Sequence, residues 1–186
     1  MSLLPADVHA TFVRGMDLPT LSAVLGEVGL TPLDSDVSED WAWVTHSAES
    51  APERPSPWEL AGHLTGFRYQ DRVPDPEAVE SVFLAGTPAC ACPHGQHYLV
   101  PHCPDHPFQF TYSQGGFQEC YFNVGAGRET RRGGSKADLL VGELLEARIV
   151  GRDTPYATDP GFNADGTLTW RIIVDHFALP APPLTL

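Results

Sequence analysis

Phe108, Phe110 and Tyr112 alternate with polar residues, Ser113-Gln114-Gly115-Gly116 follows, and Phe117 to Val124 returns. A period of two places every second side chain on one face of a strand. A Gly-Gly pair supplies the backbone freedom that a tight hairpin turn needs. This hairpin commits the chain to an antiparallel sheet. With 18 Pro and 17 Gly in 186 residues, the chain is expected to have many turns and short elements, not a helical bundle.

The remaining elements are read outward from that hairpin. Val8 to Arg14 reads as a strand. A helix follows, with Asp17 as its cap, Pro19 in its first turn, and Leu18, Leu21, Leu25 and Val28 at helical spacing before Gly29. Residues 31–57, acidic and rich in Pro and Ser, read as a long loop with one short strand at Trp41-Ala-Trp43-Val44. His63 to Gln70 reads as a strand. Asp75-Pro76 opens a second helix through Ala85, with Val79, Val82 and Phe83 as its buried face and Gly86 as its stop. Asp138 to Val150 stays open between helix, which Ser135 and Asp138 favour as a capping box, and strand. Asn163-Ala-Asp165-Gly166 reads as a turn, and Thr167 to Phe177 as a last strand of the Trp/Ile/Val type.

The predicted fold is thus a single α+β domain over residues 1–186. A small two-helix N-terminal part (1–89, with the acidic loop) packs on an antiparallel β-sheet or sandwich formed mainly by the C-terminal half (90–186). A chain of this length fits one domain.

The formal net charge is −13, which disfavours binding of duplex DNA through general electrostatics. Charge is uneven. Residues 27–59 hold eight acids (Glu27, Asp34, Asp36, Glu39, Asp40, Glu49, Glu53, Glu59) against Arg54. Residues 128–136 hold Arg128, Arg131, Arg132 and Lys136 against Glu129. Ten Arg against one Lys is a bias that GC-rich coding produces, and it points to a bacterial source. No apolar run reaches the ~18 residues of a membrane span, and Met1 to Ala10 does not read as a secretory leader. The expected location is the cytoplasm, with cysteines as thiols or metal ligands and not disulfides.

Residues 90–106 concentrate three Cys (Cys90, Cys92, Cys103) and four His (His94, His97, His102, His106). Even scatter of all Cys and His would place about one such residue in that span. Thiolates and imidazoles suit zinc. Cys103-x-x-His106 has knuckle-like spacing, and Cys90, Cys92 or His94 would supply the other pair, making a structural zinc ion the expected cofactor. No Cys-x-x-Cys is present, so two further readings stand. The thiols are small buried hydrophobes beside surface histidines, or Cys103 is a nucleophile beside His102 or His106, with Asp105 orienting.

The aromatic hairpin leads directly into the basic loop. Phe108, Phe110, Tyr112 and Tyr121 are the stacking candidates for single-stranded nucleic acid, at roughly 1–3 kcal/mol per stacked base. Arg128, Arg131, Arg132 and Lys136 are the phosphate contacts. The same alternation also suits rings facing a core, with the Arg loop solvated. No phosphate loop, dinucleotide fingerprint or nucleophile elbow is present. Asp159 to Gly166 lacks the ligands of a calcium loop at Gly161 and Ile172.

The expected function is therefore a non-enzymatic binding protein. Its ligand is a single-stranded nucleic acid or other anion on the aromatic and Arg segments. The alternatives are a protein-interaction module whose acidic 27–59 face meets a basic protein partner, and a zinc-dependent protein or enzyme using residues 90–106.

Overall fold

The computed structural model describes residues 8–47, 78–85, 108–124 and 132–180. They form one six-stranded sheet in which every neighbouring pair is antiparallel. The strands are β1 (Val8–Arg14), β2 (Pro32–Ser38), β3 (Trp41–Ser47), β4 (Glu80–Ala85), β5 (Phe108–Gln114) and β6 (Phe117–Val124), in the order β2-β3-β1-β4-β5-β6. Three α-helices lie among the described residues: α1 (Leu18–Glu27), α2 (Val141–Glu146) and α3 (Thr167–Phe177).

Register assigns the faces, because cross-strand partners point to the same side of a sheet. One face carries Ala10, Phe12, Trp41, Trp43, Val82, Leu84, Phe110, Tyr112, Cys120 and Phe122. It packs against Leu140, Leu144, Ile149, Trp170, Ile173 and Leu179 of the C-terminal segment. The other face has an apolar corner of Val13, Ala42, Val44, Val79 and Phe83 beneath Leu21, Val24 and Leu25 of α1. Each buried side chain of Leu or Phe size contributes roughly 1.5–3 kcal/mol. Trp41 ties the layers together. Its indole N–H donates to the Phe177 carbonyl at 3.1 Å, and the Arg14 guanidinium lies 4.5 Å over its ring.

The fold expectation is corrected here. The sheet is not built mainly by the C-terminal half: β1 to β4 come from the first 85 residues and only β5 and β6 from later. Among the described residues the N-terminal part holds one helix, and two lie in the C-terminal part.

Three local readings fail for identifiable reasons. The predicted helix through Ala85 is strand β4 over Glu80–Ala85. This strand lies between β1 and β5 with both faces covered. Val82, Phe83 and Leu84 are all buried, so Val79, Val82 and Phe83 imitate helical spacing without a helix. The predicted strand 167–177 is helix α3. Its β-branched residues are overridden by burial of Thr169, Trp170 and Ile173 on one helical side. Its entry is set by carboxyl and amide oxygens: Asp165 accepts from the Thr167 N–H at 2.9 Å, and Asn163 from the Leu168 N–H at 3.0 Å. The predicted turn over Asn163–Gly166 is present, closed by the Gly166 N–H donating to the Asn163 carbonyl at 3.0 Å, but it leads into a helix and not a strand. The short strand expected at Trp41–Val44 is present within β3, but the stretch before it, read as loop, holds a second strand, β2, joined to β3 at Glu39-Asp40; residues 48–57 lie outside the described residues. β2 has poor strand composition because it is an edge strand exposed along its length, held by backbone pairing to β3 rather than burial.

The strand at β1, the α1 helix with its Asp17 cap accepting from Thr20 at 2.8 Å, and the β5–β6 hairpin match the sequence expectation. The open segment 138–150 resolves as helix α2, entered through a turn over residues 135–140. Ser135 bonds the Glu119 carboxylate instead of closing a capping box. The predicted strand at 63–70 lies outside the described residues.

The two sheet edges differ. The outer side of β6 is covered: Tyr121 and Gly133 exchange both backbone hydrogen bonds at 3.1 Å, and the Lys136 N–H donates to the Glu119 carbonyl at 2.7 Å. A Cβ at Gly133 would run into the Tyr121 ring, so a side chain there would have to displace it. On β2, Ser35 and Val37 are two residues apart and so direct their N–H groups the same way. Each N–H donates to the carboxylate of the residue before it, Asp34 and Asp36, at 2.8 Å. These two donors of the open edge are thus occupied by the strand's own acids.

Candidate functional site

The predicted stacking residues do not share a surface. Phe110 and Tyr112 lie in the core beneath α3, with Phe110 4.9 Å from Phe122 and Tyr112 4.9 Å from Phe177. Burial, reinforced by Glu80, pushes the Tyr112 hydroxyl up to about 12. Neither ring face is open to a base. Tyr121 points to the opposite side of the sheet, opposite Thr111. Phe108 takes its backbone place at the start of β5.

The described cations of the basic loop are engaged by the protein itself. Arg132 lies 4.9 Å over the Phe122 ring and donates to the Leu139 carbonyl at 3.5 Å. Burial lowers its pKa, opposed by Cys120 and Asp138 nearby. Its Nη2 is buried without a hydrogen-bond partner. Lys136 donates to Gln114 Oε1 at 3.1 Å, stands 3.8 Å from Glu119 and lies 5.8 Å over the Tyr112 ring. Arg128 and Arg131 lie outside the described residues, as do Cys90, Cys92, His94, Cys103 and His106. Among the described residues, no group of three or more His, Cys, Asp or Glu could hold a metal ion. No described helix is long and apolar enough to cross a membrane.

The acidic segment is built differently. β2 presents Asp34 and Asp36 on the side of β3 that carries Trp43 and Thr45, and Glu39 and Asp40 form the hairpin turn. Leu33 and Val37 are 58% and 54% exposed. The backbone bonds of Asp34 and Asp36 fix those carboxylates in place. A carboxylate has about four acceptor positions, so each retains capacity for a cationic partner. Glu49, Glu53 and Glu59 lie outside the described residues.

One constellation has no counterpart in the sequence expectations. Beside the apolar corner under α1, the same sheet face buries His9, Thr11, His46, Ser81, Thr111, Ser113 and Gln118, with Tyr121 half-buried at its β6 end. The row Thr11, Phe83, Thr111 and Tyr121 crosses four strands, and the row Ser81, Ser113 and Gln118 runs parallel to it. His9 and His46 face each other across β1 and β3. Their ring centres are 5.4 Å apart, and Phe83 stacks on His46 at 6.1 Å. His46 Nε2 and Thr11 Oγ1 are hydrogen-bonded at 3.0 Å. Burial, and then the neighbouring His9, pushes the His46 pKa down to about 3, so the ring is neutral at ordinary pH. His46 Nδ1, Thr111 Oγ1 and Gln118 Oε1 are buried without hydrogen-bond partners. The available signal was polar residues, His9 and Thr11, alternating with Ala10 and Phe12 inside a confidently read strand. Comparison with protein families, with curated proteins and with solved structures finds no match to this chain.

Proposed function

We propose that this chain is a non-enzymatic protein-interaction module whose acidic β2–β3 hairpin receives a basic partner. The observation that carries this reading is the exposure of β2. It is an edge strand open along nearly its whole length, with two backbone-anchored carboxylates, two more acids at its turn, and Leu33 and Val37 beside them. Such a surface suits a lysine- or arginine-rich segment that also carries apolar side chains. Complementary charge would speed its approach and fix its register.

The second reading is a single-stranded nucleic acid or other anion at Arg128, Arg131, Arg132 and Lys136. The Lys136 side chain, 47% exposed, favours it, while the burial of Phe110 and Tyr112 removes two of its stacking platforms and Arg132 is held on Phe122 and Leu139.

Fluorescence anisotropy with a labelled lysine-rich peptide and a labelled oligonucleotide, each at two salt concentrations, separates the two. The peptide is expected to bind and to weaken with salt. Neutralising Asp34, Asp36, Glu39 and Asp40 together should weaken it by at least about tenfold, or 1.4 kcal/mol. Neutralising Glu146, Asp153, Asp159 and Asp175, four exposed acids elsewhere, should change it little. Equal loss in both variants would reduce the effect to net charge and end the hairpin reading. Salt-sensitive oligonucleotide binding without peptide binding would replace it with the second.

A further inference from the structure

The polar face of the sheet is buried more widely than its described cover reaches. Among the described residues, α1 packs on the corner of Val13, Ala42, Val44, Val79 and Phe83. Thr11, Ser81, Thr111 and Ser113, which run from β1 to β5, are nevertheless no more than 2% exposed. A sheet face is open to water unless something lies on it.

Strand directions decide which segment lies there. Trp41 of β3 and Glu80 of β4 both stand opposite Arg14, at the end of β1. β3 and β4 are therefore parallel to each other, with β1 between them. The chain leaves β3 at one end of the sheet and enters β4 at the other, so residues 48–77 must travel the height of the sheet, about 20 Å for strands of this length, and pass across β1. β1 and β2 stand in the same relation: they are parallel, with β3 between them, and are joined through α1. A half-turn about an axis normal to the sheet, between β3 and β1, carries the β1–β2 connection onto the β3–β4 connection. Crossovers between parallel strands of one sheet are right-handed with few exceptions. Two connections of the same hand related by that rotation share a face, so 48–77 belongs on the face of α1. The opposite face is already filled by the segment from Leu140 to Leu179. The 86–107 connection has no such crossing to make, because β4 ends and β5 begins at the same end of the sheet, with Ala85 opposite Gln109.

The sequence of the segment suits that place. Ser56-Pro57-Trp58-Glu59 has the form of a capping box with Pro at the first helical position. Leu60, Leu64 and Phe67 then recur at helical spacing, with His63 and Gln70 beside the stripe. A helix over 57–70 would be about 20 Å long at 1.5 Å per residue, the height of the sheet.

We infer that residues 48–77 are the second cover of the α1 face, with a helix opening at Pro57 laid over β1 and β4 beside α1 and its Leu60, Leu64 and Phe67 stripe turned to Thr11 and Phe83. This helix takes the place of the strand expected at 63–70. The inference is independent of the acidic hairpin and of the proposed partner.

Methyl-resolved nuclear Overhauser spectroscopy of the full chain tests it. The Leu60 or Leu64 methyls should show contacts to the Thr11 methyl or the Phe83 ring. Contacts to Leu84 or Ile173 on the opposite face, or to neither face, would overturn the inference. So would Thr11 meeting Leu99 or Val100 of the 86–107 connection instead, or contacts found only between differently labelled molecules in a mixed sample, which would give the face to a second copy. Urea titration of variants is the second measurement. Phe67→Ala should raise the unfolding equilibrium constant by at least about tenfold, as loss of a buried ring does, and Thr65→Ala, off the stripe, by less than about threefold. An effect at Phe67 no larger than that at Thr65 would overturn the assignment of the stripe to the sheet.

Discussion

The two faces of the sheet are made from the same six strands and bury opposite kinds of surface. Beneath α2 and α3 the face is apolar from Trp41 and Trp43 on β3 to Phe122 on β6. Beneath α1 the face is apolar only at one corner, and the rest buries His9, Thr11, His46, Ser81, Thr111, Ser113 and Gln118. Burial of apolar groups stabilises, while burial of a polar atom without a partner destabilises. The first face therefore holds the fold together. The second spends part of that stability on keeping polar groups in place, the pattern expected where recognition or chemistry is housed.

The sharpest way to break this contrast is to truncate the apolar face. Phe110→Ala should lower the unfolding free energy by about 3–5 kcal/mol in urea titrations, a large share of the roughly 5–15 kcal/mol a domain has. A loss below about 1 kcal/mol would mean that the ring is not part of a packed core.

Acid tests the other face. In the unfolded chain His46 takes up a proton near its ordinary value of 6.5, and in the fold only near about 3. The unfolded state thus binds more protons as pH falls through that window. Stability should decline from about pH 6.5 downward, by on the order of a few kcal/mol. Chemical denaturation at stepped pH checks it. His46→Gln should flatten the decline if it folds, and an unchanged slope would assign the acid sensitivity to other groups.

The smallest expected effect has the opposite sign. Thr111→Val removes a buried hydroxyl oxygen that lacks a hydrogen-bond partner and keeps the side-chain shape. It should be neutral or stabilising by up to about 1 kcal/mol by thermal melting. A clear loss would show that the hydroxyl is satisfied in solution, and would narrow the contrast between the faces.

What the sequence disclosed follows the same division. The β5–β6 hairpin was legible because one side of β5 is apolar and the turn carries two glycines. The α1 helix was legible because Asp17, Pro19 and Gly29 mark its ends. β4 is not legible, because a strand covered on both faces loses its alternation, so Val82-Phe83-Leu84 carries no period. α3 is not legible, because its Trp, Ile and Val composition speaks for a strand, whereas the turn residues Asn163 and Asp165 that accept from its first N–H groups suit the start of either element. β2 leaves no signal, because an exposed edge strand needs no apolar side chains. The acidic segment was legible from charge alone. The histidine pair was not, because His9 and His46 are brought together only by the β1–β3 register.

The treatment of the sheet's two ends bears on how the molecule behaves when concentrated. β6 is covered at Glu119 and Tyr121 by the strap through Gly133 and Lys136, where the Tyr121 ring crowds any side chain at Gly133. On β2 the outward N–H donors at Ser35 and Val37 are already held by Asp34 and Asp36. A second copy approaching edge to edge would have to displace both carboxylates and would bring four of them together across the seam. Strand-by-strand growth into fibres, the standing hazard of any open sheet, is opposed at one end by shape and at the other by charge. Of these two safeguards, the charge-based one is the one that added salt weakens.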